Sequence, residues 1–285
     1  MTMTHHIRTL TPDEVETAIA WAAREGWNPG VGDAAAFLAQ DPDGFLGLFA
    51  GEDLASLISA VTYGPAFGFI GFYICRPDLR GQGFGLAVWD AALERLGSRA
   101  VGLDGVLAQV DNYARSGFVL AHRNIRYGGL PLASDAAPDG IVPVEARHVP
   151  ALMALDRHHF LFDRPGFLSR WLLPTEGRAF AAQEDGGIEG YCVVRRCGTG
   201  HKIGPLFAPN AATARALYEA ACSHARAAAP GEPVFLDVPE PHAAARELAE
   251  EAGLSPVFET ARMYRGAAPA LPLDRIFGIT TFELG

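Results

Sequence analysis

The stretch from Phe67 to Leu96 constrains the fold more than any other part of the chain. Phe67 to Cys75 is a nearly unbroken apolar run of strand length, and Arg80-Gly81-Gln82-Gly83-Phe84-Gly85 follows after a short connection. Leu86, Trp89, Leu93 and Leu96 then recur on one helical stripe. A strand that is apolar at successive positions is one covered on both faces. The segment therefore predicts a layered arrangement in which a central strand passes into a helix through a glycine loop. Glycines let the backbone turn sharply and approach a ligand closely. The helix start adds unpaired N–H groups and a partial positive charge. With Arg80 as a cation, these features predict a pyrophosphate cradle; an ordinary glycine-rich turn is the plainer alternative. No Gly-Lys-Ser/Thr follows the loop, and the glycine spacing differs from that of the dinucleotide-binding fold.

Around this segment the pattern reads as alternating elements. Thr11-Pro12-Asp13-Glu14 is a capping box that opens a first helix, with Val15, Ala18, Ile19 and Ala22 at helical spacing. The turn-rich Gly26-Trp27-Asn28-Pro29-Gly30 ends it, and Asp33 to Gln40 predicts a short second helix. Phe45 to Ala50 and Leu54 to Val61 read as a strand meander, Val101 to Leu103 as a strand, Ala108 to Ser116 as a helix closed by Gly117, and Phe118 to Tyr127 as a strand. After a linker-like stretch, Ile203 to Phe207, Ala211 to Ala228, Val234 to Val238, Pro241 to Ala252 and Val257 to Tyr264 repeat the order strand, helix, strand, helix, strand. The repeat lacks a glycine loop. The last segment, Ile276 to Leu284, reads as a strand that either completes the second sheet or crosses to the first.

Arg80, Gly83 and Gly85 match R/Q-x-x-G-x-G/A, and Tyr113-Ala114-Arg115-Ser116-Gly117-Phe118 matches Y-x-x-x-G-F about thirty residues later; Pro77 fits as well. On these elements the chain resembles the GNAT superfamily of acyl-CoA-dependent N-acetyltransferases over roughly residues 5 to 128. Val106 and Gln109 depart from the asparagine and alanine found in many members. The resemblance implies an α/β (α+β) fold class with tandem GNAT-like folds, each a mixed, mostly antiparallel sheet flanked by helices. It divides the chain into an acetyltransferase domain at residues 1–128, a linker at 129–142 and a degenerate copy without the coenzyme loop at 143–285.

The resemblance also implies acetyl-CoA, or coenzyme A, as co-substrate. Its pyrophosphate would meet Arg80, Gly81, Gln82, Gly83, Phe84 and Gly85, and its pantetheine arm the backbone near Ile74, Cys75 and Arg76. Tyr113 is the expected proton donor to the departing thiolate. Cys75, near the thioester, offers a competing acyl-enzyme route. Trp27, Asn28 and Asp33 are candidate acceptor-binding residues, with Asp104 a candidate base or turn cap. The expected acceptor is a small-molecule amine or amino acid, acylated by direct attack; a non-catalytic, coenzyme-responsive module is the alternative.

Composition sharpens what is excluded. The net charge of −10 argues against a nucleic-acid partner. No run of 18 apolar residues and no signal pattern is present, which predicts a cytoplasmic protein without membrane association. The four cysteines form no C-x-x-C pair, so no metal site is expected, and adjacent His158 and His159 do not share a helix face. Lys202 is the only lysine. The oligomeric state stays open, with a homodimer among the alternatives.

Overall fold

A computed structural model describes residues 5–132, 138–184 and 186–285. The first half runs β1 (His5–Thr9), α1 (Pro12–Arg24), α2 (Asp33–Gln40), β2 (Phe45–Ala50), β3 (Asp53–Tyr63), β4 (Phe67–Cys75), α3 (Phe84–Leu96), β5 (Ala100–Val106), α4 (Val110–Arg115) and β6 (Val119–Gly129). The second runs β7 (Ile141–Pro143), α5 (Val149–Phe160), α6 (Pro165–Trp171), β8 (Gly177–Glu184), β9 (Gly187–Arg196), β10 (His201–Phe207), α7 (Ala211–Ala228), β11 (Val234–Pro239), α8 (Ala243–Glu251), β12 (Ser255–Arg265) and β13 (Ile276–Gly278). Part of the stretch read as a linker, residues 133–137, lies outside the described residues; Gly129 belongs to β6, and 141–143 is a strand.

Each half is the expected mixed, mostly antiparallel sheet flanked by helices. The two join because they exchange strands. The order is β1-β2-β3-β4-β5-β12-β6-β11-β10-β9-β8-β7, with β13 on β10. Thus β12 sits between β5 and β6, and β6 sits between β12 and β11. Alternation of side chains across the strands sorts the core into layers. Leu57 and Val61 point to one face with Phe37, Phe167, Trp171 and Tyr191, in a core drawn from both halves under α1, α2, α5 and α6. Ile58 and Ala60 point to the other face under α3, and Cys192 and Val194 lie under α7 and α8.

The final segment corrects the sequence reading. Only Ile276–Gly278 is strand; the rest is irregular and crosses to the first half. There Tyr63 donates its hydroxyl hydrogen to Leu284 O at 2.7 Å. A Cβ on Gly71 would stand 2.1 Å from Glu283 O, so glycine is what lets the tail lie against β4. Buried ion pairs further tie the halves together: Arg126 to Asp237 at 2.6 Å, and Arg195 to Asp33.

Candidate active site

Strands β4 and β5 pair in parallel from Phe67/Ala100 to Ile70/Leu103 and then part. The cause is local. Strand β4 carries an extra residue opposite the Leu57–Ser59 stretch of β3, and Phe72 takes the left-handed φ of +46°. A bulge of this kind bends the strand and re-aims its side chains. Meanwhile Thr260 of β12 claims Val106 of β5. The parted strands frame a cleft of about 350 Å³. Arg76 donates its backbone N–H to Ala55 O at 2.9 Å. Because hydrogen-bonded and non-bonded residues alternate along an antiparallel pair, the N–H of Cys75 points away from β3, toward the cleft.

Of the glycine loop, Arg80 lines the cleft. Gly81 and Gly83 adopt φ of +78° and +86°, and a Cβ at either would meet nothing within 4 Å. Glycine is therefore required by conformation and leaves open space in front of the backbone. Gly83 is the N-cap of α3 and provides no side-chain cap, so the helix start keeps unpaired donors. The corresponding helix of the second half, α7, is closed by Asn210, whose side chain accepts from Thr213 N at 2.9 Å. Gln82 is exposed, while Phe84 is buried and its carbonyl accepts from Ser56 Oγ at 3.0 Å. Arg80 is held at the lip, donating to Cys75 O at 3.1 Å and to Glu25 Oε1 at 2.7 Å. Arg76 turns aside to Asp78 at 2.6 Å.

An aromatic group lines the other side. Tyr113 on α4 is buried and stacks on Trp89 at 5.4 Å between centroids. Its ring sits where a Cβ on Gly105 would fall, 2.2 Å from Cε2. Tyr73 packs on Trp89 at 5.3 Å and places its hydroxyl beside Gly85. Burial, with Tyr73 as a lesser cause, pushes the Tyr113 phenol upward, so it stays protonated at neutral pH. Burial also pushes the Cys75 thiol upward, only partly offset by Arg80. That works against a thiolate nucleophile.

Comparison with known proteins agrees with this geometry. The model of the acetyltransferase (GNAT) family matches residues 8–118, and an acetyltransferase (GNAT) domain model matches residues 152–278. The holothin acyltransferase of Pseudoalteromonas sp. (strain SANK 73390) is 31% identical over 274 residues, 96% of this chain and 92% of that protein. The chain belongs to the GNAT acetyltransferase family. It is an acyl-CoA-dependent acyltransferase by that membership. In fold it is similar to a Pyrococcus horikoshii protein, with a TM-score of 0.82 at 23% identity, covering 100% of this chain and 97% of that one. A tandem GNAT protein from the clavulanic acid biosynthesis pathway, solved without AcCoA, has a TM-score of 0.62 at 14% identity over 94% of this chain and 100% of its own.

The cleft takes in some of the expected acceptor residues and leaves out others. Trp27 lines it, together with Phe258, Thr260, Phe282 and Glu283 from the second half. Asn28 does not: its side chain bonds both backbone groups of Thr199, at 2.8 and 3.0 Å. Asp33 is also elsewhere, buried against Arg195 and accepting from Gly30 N at 3.0 Å. A helix-start carboxylate opposite a buried guanidinium is held as half of an ion pair, with its charge already matched. Asp104 does reach the cleft wall, but Arg262 binds it at 2.9 and 2.5 Å and Asn124 at 2.7 Å. With its side chain shut from solvent, it is a structural anchor and not a free base.

Tyr73, Thr260 and Glu283 are site-lining residues that the sequence reading missed. Tyr73 had a signal, since it precedes the loop in an apolar run; the other two lie more than 140 residues from the loop. His159 stacks on Phe207 at 4.5 Å, which accounts for it as a core residue. Among the described residues no group of three His, Cys, Asp or Glu is placed to hold a metal, and no helix is long and apolar enough to cross a membrane.

The Asp104–Arg262 pair carries a stability prediction. Removing one partner of a buried pair leaves an uncompensated charge, which costs about 3–5 kcal/mol. Asp104→Ala should lower stability by about that amount in urea unfolding, and a change below about 1 kcal/mol would show that Arg262 finds another partner.

Proposed function

We propose that the enzyme transfers an acetyl group from acetyl-CoA to the amino group of a small molecule by direct attack. The observation that carries this reading is the parting of β4 and β5 beyond Ile70 and Leu103, because it exposes backbone donors between the glycine loop and Tyr113. When bound, the co-substrate supplies the activated thioester. The residues present fit it: the open, uncapped start of α3 suits a pyrophosphate. The extended backbone at Ile74 and Cys75 suits a peptide-like arm, and the Cys75 N–H suits a developing oxyanion. Tyr113 donates a proton to the departing sulfur. Asn210 caps α7, which supports one coenzyme site per chain, in the first half. A cytoplasmic location belongs to the same reading.

Free thiol released from acetyl-CoA across a panel of amines tests the reaction. Tyr113→Phe keeps the ring on Trp89 and removes only the hydroxyl. A positioned general acid contributes about 10²–10⁴-fold, so kcat should fall at least about tenfold, with acetyl-CoA affinity within a few-fold of the original. Unchanged turnover would make Tyr113 a packing residue, with water protonating the thiolate.

A further inference from the structure

Four charged side chains line the cleft: Glu25, Arg80, Asp104 and Glu283. Arg80 is occupied by Glu25, and Asp104 by Arg262. Glu283 is different. It is 4% exposed, its Oε1 is shut from solvent without a hydrogen-bond partner, and it has no ion pair within 4 Å among the described residues. Thr260 Oγ1, which belongs to another residue lining the cleft, is likewise buried and unpartnered. A buried polar atom without a partner costs about 1–3 kcal/mol, and these two belong to residues that line the cleft, where a ligand's donors would relieve that cost.

The nearby cations do not fill it. Arg126 and Lys202 lie close enough for their charges to act on Glu283. Yet Arg126 is committed to Asp237 and to Trp27 O, and Lys202 donates to Trp27 O at 3.1 Å. Arg195, the remaining neighbour, is committed to Asp33. The same cleft is lined by the aromatic side chains of Trp27, Phe72, Phe258 and Phe282.

From this arrangement we infer that the acceptor is an amine on a flat apolar body with no carboxylate beside the amino group, its N–H groups held by Glu283 and Thr260. The inference rests on the N-acetyl transfer proposed above and narrows its acceptor. An amine supplies the donors that both acceptors lack. A carboxylate on the neighbouring carbon would meet Glu283, and the one cation among the described cleft-lining residues, Arg80, is already paired with Glu25. Desolvated like charges brought together in a specificity site oppose binding strongly.

Matched pairs test it: phenethylamine against phenylalanine, tyramine against tyrosine, and tryptamine against tryptophan, each with acetyl-CoA and a thiol-release assay. For at least one pair, kcat/KM for the amine should exceed that for the amino acid by at least about 100-fold, a ratio a site rejecting a mismatched polar group readily reaches. Glu283→Gln should lower amine kcat/KM at least about tenfold and narrow the ratio, while calorimetry shows acetyl-CoA affinity within a few-fold. Thr260→Val, which keeps the shape of the wall, should act in the same direction more weakly and serves if the glutamine variant fails to fold. Amino acids turned over as well as their amines, or an amine preference untouched by both variants, would overturn this inference while leaving N-acetyl transfer standing. Thiol release by none of the six would overturn this inference, and N-acetyl transfer would fall with it only if the wider amine panel were also silent.

Discussion

Residues 1–132 produced alone should show no cooperative thermal transition and no measurable affinity for acetyl-CoA, although they contain the whole glycine loop and Tyr113. The reason is the exchange of strands. In the intact chain β6 is bonded only to β12 and β11, and the outer edge of β5 only to β12; both partners come from the second half. Met263 and Ala261 of β12 complete the core under α3, and Trp171, Phe167, Tyr191 and Phe282 complete the shared core on the other face. Each fully buried large apolar side chain is worth about 1.5–3 kcal/mol. Losing several at once exceeds the roughly 5–15 kcal/mol by which a domain is stable, and Asp104 would lose its partner Arg262. Circular dichroism melting and calorimetric titration of the fragment check this. Coexpression with residues 138–285 should restore both signals. A fragment that melts cooperatively and binds acetyl-CoA within a few-fold of the full chain would show that β6 can take the place of β12 beside β5.

The second large effect is expected from Gly83→Asp, which should weaken acetyl-CoA at least about 100-fold while leaving the fold intact. A non-glycine residue at a φ of +86° is strained, by an amount on the order of 1–3 kcal/mol. Because a Cβ there meets nothing within 4 Å, no packing is lost. The added carboxylate projects from the N-cap of α3 and can cap the donors that the glycine leaves open. It also sets a negative charge against an anionic ligand. A 100-fold loss corresponds to about 2.7 kcal/mol, within reach of those effects combined. Calorimetry should show the loss and thermal melting only a modest shift. Binding unchanged by the substitution would remove the loop from the coenzyme site and, with it, the assignment of Arg80 to Gly85.

Some features were legible in the sequence because their causes are local. The capping box at Thr11 and Glu14 forms as read, with Glu14 Oε2 accepting from Thr11 N at 2.8 Å. The apolar run Phe67–Cys75 forms a strand buried on both faces, and α7 spans the residues that its periodicity and Asn210 indicate. Turn chemistry, caps and side-chain period act over a few residues, so a short window contains all the information. The loop with its left-handed glycines, and Tyr113 at the fixed distance of one helix and one strand beyond it, belong to the same class.

What the tertiary structure alone decided concerns partners far apart in the chain. The sequence marks β6 and β12 as strands, but nothing within either says that each will lie among strands of the other half. Asp104 looked like an available base or a turn cap until Arg262, 158 positions away, arrived on the exchanged strand. Asp33 looked like an amine anchor until Arg195 met it across 162 positions. Glu283, in an unremarkable tail read as strand, became part of the cleft because Gly71 admits its backbone and Tyr63 fixes the next residue. A carboxylate's role depends on which charges surround it once water is gone. That environment is assembled by strand pairing and burial across the whole chain, so the sequence by itself determines the glycine loop and the position of Tyr113, whereas only the folded chain determines what surrounds Asp33, Asp104 and Glu283.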